Sequence, residues 1–183
     1  RNLDGDGRFE FRDGAIHGIN IVATLRQARG LGTLEEDQAE RKTEAIETYQ
    51  RYLERVSDDT GAWILLGDLL AEMGRSEEAL NAYQRAYGQR PTGALAVKIG
   101  TLYLRSDNLV QARNWFQEAM DAEAAARPDA LLGLLEVSLQ AERFADAEKV
   151  VDYLDREYPG RLDVSPLAGA REQLRTWRQR QQE

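Results

Sequence analysis

Residues 63–91 read WILLGDLLAEMGRSEEALNAYQRAYGQRP, and the spacing inside this stretch decides the fold. Leu66 and Leu70 lie one turn apart, as on a first helix. Ala79, Tyr83 and Ala86 then form an i, i+4, i+7 stripe, as on a second. Small residues at 79 and 86 let two helices approach closely, and the Tyr83 ring fills the space between them. Gly74 ends the first helix without a Cβ penalty, Ser76 is placed to cap the second, and Pro91 stops it.

The stretch is repeated. Ile99, Gly100, Tyr103, Ala112, Phe116 and Ala119 restate it 33 residues on. Leu131, Leu134, Ala147, Val151, Leu154 and Pro159 restate it more loosely 35 residues further. Upstream, Ala45, Tyr49 and Leu53 match the second-helix stripe 34 residues before Ala79. A fixed period of this length is the mark of a helical-repeat array. Trp63, Leu66, Gly67, Leu70, Gly74, Ala79, Tyr83, Ala86 and Pro91 together resemble the tetratricopeptide repeat, with Leu70 where that family has Tyr. The resemblance implies an all-α fold: a right-handed superhelix of stacked antiparallel helix pairs, with a concave face lined mainly by first helices.

The flanks set the organisation. Residues 1–29 read as an Asp/Gly-rich loop followed by a helix over about 14–28, with Ile16, Ile19, Val22 and Ala23 apolar and His17 at its surface or an interface. Gly30-Leu31-Gly32 ends that piece. Within 30–58, Thr33-Leu34-Glu35-Glu36 is a capping box opening one long helix, a half-repeat without its first helix. Residues 60–161 hold three helix pairs. Over 162–183, Ser165-Pro166 starts a capping helix with Leu167, Ala170, Leu174 and Trp177 on one stripe and Arg171, Arg175, Arg178 and Arg180 outside it. Trp63 reads as a packing residue. Trp115 precedes the aromatic of its repeat and is expected to be partly exposed.

Composition narrows the function. The chain has 183 residues, 24 Lys plus Arg against 32 Asp plus Glu, and a net charge of -8. That balance argues against nucleic acid as the main partner. No apolar run is long enough to span a bilayer. Cysteine is absent and His17 is the one histidine, which excludes disulfides, thiolate zinc and paired-imidazole sites. No nucleophile–base arrangement or phosphate loop stands out, so no enzyme is expected. The chain starts at Arg1 without Met, so a processed or longer form is expected, with any upstream signal or anchor out of sight.

Residues 2–13, NLDGDGRFEFRD, resemble the EF-hand calcium loop, and its dockerin version most closely. In that register Asn2, Asp4, Asp6 and Asp13 supply side-chain oxygens, Arg8 its backbone carbonyl, and Glu10 a water-bridged contact. Alternate residues converging on one point suit a hard cation that needs six to eight oxygens. Position one usually carries Asp and position twelve Glu, although dockerins use Asp at the latter. An Asp/Gly-rich turn is the competing reading. A working loop would favour a periplasmic, secreted or surface location.

The repeat register also assigns a groove. The positions by which family members clamp a peptide's terminal carboxylates fall here on Ile64, Leu65 and Asp68, on Val97, Lys98, Thr101 and Arg105, and on Leu132, Gly133 and Glu136. No Lys–Asn pair is present, so the clamp is not expected. A mixed apolar and charged groove suits an amphipathic helix or an extended segment. Three readings stay open at this level: a protein-binding scaffold, a calcium-dependent attachment module, and assembly of copies by repeat-to-repeat stacking.

Overall fold

In a computed structural model of the chain, residues 10–12, 15–17, 34–159 and 165–181 are described. Two compact units emerge, Arg1–Thr48 and Tyr49–Glu183. The first contains a two-stranded antiparallel pair, β1 (Glu10–Arg12) and β2 (Ala15–His17), with Glu10 opposite His17 and Phe11 opposite Ile16. This corrects the expected helix over 14–28 at residues 15–17, His17 included, which are extended; 14 and 18–28 lie outside the described residues. Pairing with Glu10–Arg12 satisfies the backbone of these three residues, and over so short a stretch it outweighs the apolar spacing around Ile16.

Helix α1 (Leu34–Leu53) begins in the first unit and ends in the second. It is the expected long helix, although Ile46 rather than Ala45 is its most buried residue. The second unit continues with α2 (Thr60–Glu72), α3 (Ser76–Gln89), α4 (Gly93–Arg105), α5 (Leu109–Ala122), a short 3-10 turn at Ala124–Ala126, α6 (Arg127–Gln140), α7 (Phe144–Glu157) and α8 (Ser165–Arg180). Three antiparallel pairs, α2–α3, α4–α5 and α6–α7, stack in order, and α8 packs against the last.

The caps follow local chemistry. Asp59 caps α2, its Oδ1 accepting from the Ala62 N–H at 2.9 Å while the Tyr52 hydroxyl donates to Oδ2 at 2.9 Å. These donors hold the Asp59 carboxyl below the usual range, the Ala62 N–H first and the Tyr52 hydroxyl second. Thr92 and Asn108 cap α4 and α5 in the same way. Ser76 does not cap α3. The N-cap there is Arg75, whose guanidinium instead forks onto Glu78 at 2.6 and 2.7 Å. The turn ending each first helix needs a left-handed residue: Gly74 at φ 73°, Asp107 at φ 59° and Glu142 at φ 55°. Only the first of these carries the residue type that adopts it without strain.

The core is the stripe read from sequence. Ala79, Tyr83, Ala86, Ala112, Phe116, Ala119, Ala147, Val151 and Leu154 are buried, as are Leu66, Leu70, Ile99 and Leu131. Small residues are obligatory where rings cross: a Cβ on Gly67 would lie 2.5 Å from the Tyr83 ring. Phe116 is held on two sides, 2.9 Å from where a Cβ on Gly100 would lie and 2.4 Å from one on Gly133. On α8, Leu167, Ala170 and Leu174 are buried and Trp177 stacks on Phe144 at 5.8 Å. Two of its arginines are tied back to α7, Arg171 to Asp155 at 2.5 Å and Arg178 to Glu148.

Candidate partner-binding groove

The first helices α2, α4 and α6 carry the groove residues expected from the repeat register. Five of them, Asp68, Val97, Lys98, Thr101 and Arg105, line one cleft of about 570 Å³ between α2 and α4. Leu132 and Glu136 line a second, of about 420 Å³, between α6 and α8. Ile64 is half-buried and Leu65 is 50% exposed on α2, but neither lines these clefts. Gly133 belongs to the core under Phe116.

The α2–α4 cleft is organised around Asp68. Its Oδ1 accepts from the Tyr83 hydroxyl at 2.5 Å and from Lys98 Nζ at 2.6 Å. Lys98 also stands 5.6 Å from the centre of the Tyr83 ring, a cation–π contact. Burial, reinforced by Asp68, pushes the Tyr83 phenol above the ordinary tyrosine range, so the proton stays on the hydroxyl at neutral pH. Asp68 therefore acts as a bridge between neighbouring pairs. Lys98, Arg105 and Glu72 line the cleft beside Val97, so both signs of charge stand next to an apolar side chain. Thr101 turns its hydroxyl back onto the Val97 carbonyl, donating at 2.9 Å.

Four lining residues, Ala71, Glu72, Tyr83 and Leu102, were not anticipated. Ala71 and Glu72 follow Asp68 by three and four positions, so one further turn of the same register would have found them. Tyr83 reads from sequence as a core ring, and nothing in the spacing tells that its hydroxyl crosses to the groove. The α6–α8 cleft likewise draws Ala170 and Gln173 from the capping helix.

Of the calcium-loop residues, Asn2, Asp4, Asp6, Arg8 and Asp13 lie outside the described residues, while Glu10 falls in β1. Among the described residues no group of three or more His, Asp or Glu is arranged to hold a metal ion. No described helix is long and apolar enough to cross a membrane.

Antiparallel helix pairs stacked at this pitch, with a groove on the first helices, define a helical-repeat protein. The tetratricopeptide repeat profile matches residues 30–94 and 97–161, and the chain belongs to that family. Tetratricopeptide repeat protein 21B of Mus musculus is 29% identical over 109 residues, which is 59% of this chain but only 8% of that relative's length. Among solved structures, a tetratricopeptide repeat protein from Parabacteroides merdae superposes with a TM-score of 0.64 at 21% identity, over 84% of this chain and 55% of its own. MamA superposes with a TM-score of 0.63 at 15% identity, over 83% of this chain and 78% of its own. These likenesses establish the stacked-pair fold.

Proposed function

We propose that the chain is an interaction scaffold without chemistry of its own, holding an amphipathic helix or extended segment of another protein along its first helices. The observation that carries this reading is the α2–α4 cleft, which gathers five of the residues that the family resemblance assigns to the groove. Its lining alternates an apolar side chain with both signs of charge, the pattern an amphipathic segment complements. Family membership supports the same role.

The test is a selection of displayed peptides on the full chain, with the winners titrated by calorimetry. Val97→Glu and Thr101→Glu, each checked for unchanged helicity, should weaken binding at least tenfold. Val97 is half-buried against the core, so the more peripheral Thr101 variant separates groove loss from structural damage. Selected peptides that bind both folded variants as tightly as the parent would overturn the assignment.

A further inference from the structure

A second kind of cleft opens between successive second helices, away from the groove just described. The first is bounded by the end of α1 at Gln50 and Leu53 and by Asn81, Ala82 and Arg85 on α3, with Leu66 and Leu70 at its floor. The second lies between Tyr87 on α3 and Gln111, Asn114, Trp115 and Glu118 on α5. These are one feature met twice. Helix α5 repeats α3 at an offset of 33, so Glu78, Asn81, Ala82 and Arg85 correspond to Gln111, Asn114, Trp115 and Glu118. Leu53 likewise stands 34 residues before Tyr87.

The two copies differ in what fills them. In the second, the Trp115 indole sits edge-on against Tyr87, centroids 5.0 Å apart at 87°, and the remaining space is about 240 Å³. In the first, Ala82 stands where Trp115 would be, and about 500 Å³ is open. The first helices carry the opposite exchange, Trp63 against Ala96. Yet Trp63 does not refill the space. Its Nε1 donates to the Ser57 carbonyl at 2.9 Å and Arg85 covers its face at 5.2 Å, which turns the indole into a wall of the cleft.

We propose that this first cleft is a docking pocket for a tryptophan side chain presented by a protein partner. The occupant is inferred from the molecule itself, which places an indole at the equivalent position one repeat later. Leu53, Leu66 and Leu70 supply the apolar floor that a ring buries against, while Gln50 and Glu54 carry oxygen acceptors for an indole N–H. The pocket shares no residue with the α2–α4 groove, so it is a separate contact surface.

The experiment is a titration of the isotope-labelled full chain with N-acetyl-tryptophanamide, followed by amide and indole NMR signals, with N-acetyl-leucinamide as control. The tryptophan probe should shift the Trp63 indole and the Ala82 and Arg85 amides saturably, at least fivefold more tightly than the leucine probe. Ala82→Trp, which fills the cleft as Trp115 fills its counterpart, should abolish the response. Trp115→Ala should open the second cleft and add a new saturable response at Tyr87 and Glu118. Absence of any saturable shift in the parent, or an undiminished shift in folded Ala82→Trp, overturns the proposal. Should Ala82→Trp fail to fold, Trp115→Ala decides: no new response there overturns it.

Discussion

The Tyr83 hydroxyl crosses from the second helix of one pair to Asp68 on the first, and Lys98 of the next pair reaches the same carboxylate oxygen. One carboxylate thus ties together three helices. Tyr83→Phe keeps the ring against Gly67 and removes only the hydroxyl. It should cost about 1.5–3 kcal/mol, as for a hydrogen bond to a charged group, with helicity unchanged. Tyr83→Ala should cost about 3–5 kcal/mol, because the ring itself is lost from the core. Urea denaturation of the two variants checks the ordering. Equal losses would mean that the ring adds nothing beyond its hydroxyl.

Glycine positions separate crowded from open backbone. Gly133→Ala places a methyl 2.4 Å from the Phe116 ring and should destabilise by overpacking, by about 1–3 kcal/mol. Around Gly169 in α8, no heavy atom beyond its chain neighbours and the adjacent helix backbone lies within 4 Å of where a Cβ would sit. Gly169→Ala should therefore stabilise by about 0.5–1 kcal/mol through helix propensity. Opposite shifts in melting temperature are expected.

Glu142 occupies the left-handed turn that Gly74 occupies two pairs earlier. Glu142→Gly should relieve the Cβ strain, worth roughly 1–2 kcal/mol, less the extra freedom that glycine gives the unfolded chain. A small rise in stability is expected from chemical denaturation, whereas Gly74→Ala should lower it.

Acid should weaken the start of α2 in a defined window. Because the Asp59 carboxyl is held low in the folded chain, its contribution is complete above the ordinary aspartate value of about 3.9 and is lost as pH falls through the lower folded value. The melting-temperature gap between the parent and Asp59→Ala should therefore stay constant down to about pH 5 and close below about pH 4. A gap that persists unchanged into stronger acid would mean the cap does not act through its charge.

The sequence of residues 2–13 predicts calcium-dependent stability. If Asn2, Asp4, Asp6 and Asp13 bind the ion only when ordered, stability should rise by about 2.7 kcal/mol at a hundredfold excess of calcium over its dissociation constant. Asp6→Ala should remove the response and His17→Ala should not. Melting with calcium and then with chelator, beside calorimetric titration, is the measurement. No heat and no shift would reduce the loop to a turn.

Periodicity made the stacked pairs legible because each pair must bury the same stripe: Ala79, Ala112 and Ala147 are all fully buried, at 0% exposure. The family resemblance, carried over on that register, named Asp68, Val97, Lys98, Thr101 and Arg105, and these five line one cleft. Periodicity failed where local chemistry acts alone. Ala15–His17 is extended because pairing with Glu10–Arg12 outweighs apolar spacing over so short a stretch, and Arg75 displaces Ser76 as the N-cap of α3. The indole exchange between Ala82 and Trp115 was visible as residues, but its meaning depends on where the Trp63 ring points. That orientation is set by a hydrogen bond to Ser57, which no spacing reveals.

Phe116 leans on Gly100 of its own pair and on Gly133 of the next. The boundary between those pairs is therefore no seam at which the array could be cut. Excising one without the other would strip a face of that ring and expose it to water, so the two must unfold cooperatively and be inherited together. The smallest unit that keeps the packing of this ring whole is accordingly the four helices α4–α7, twice the size of the repeat by which the sequence counts.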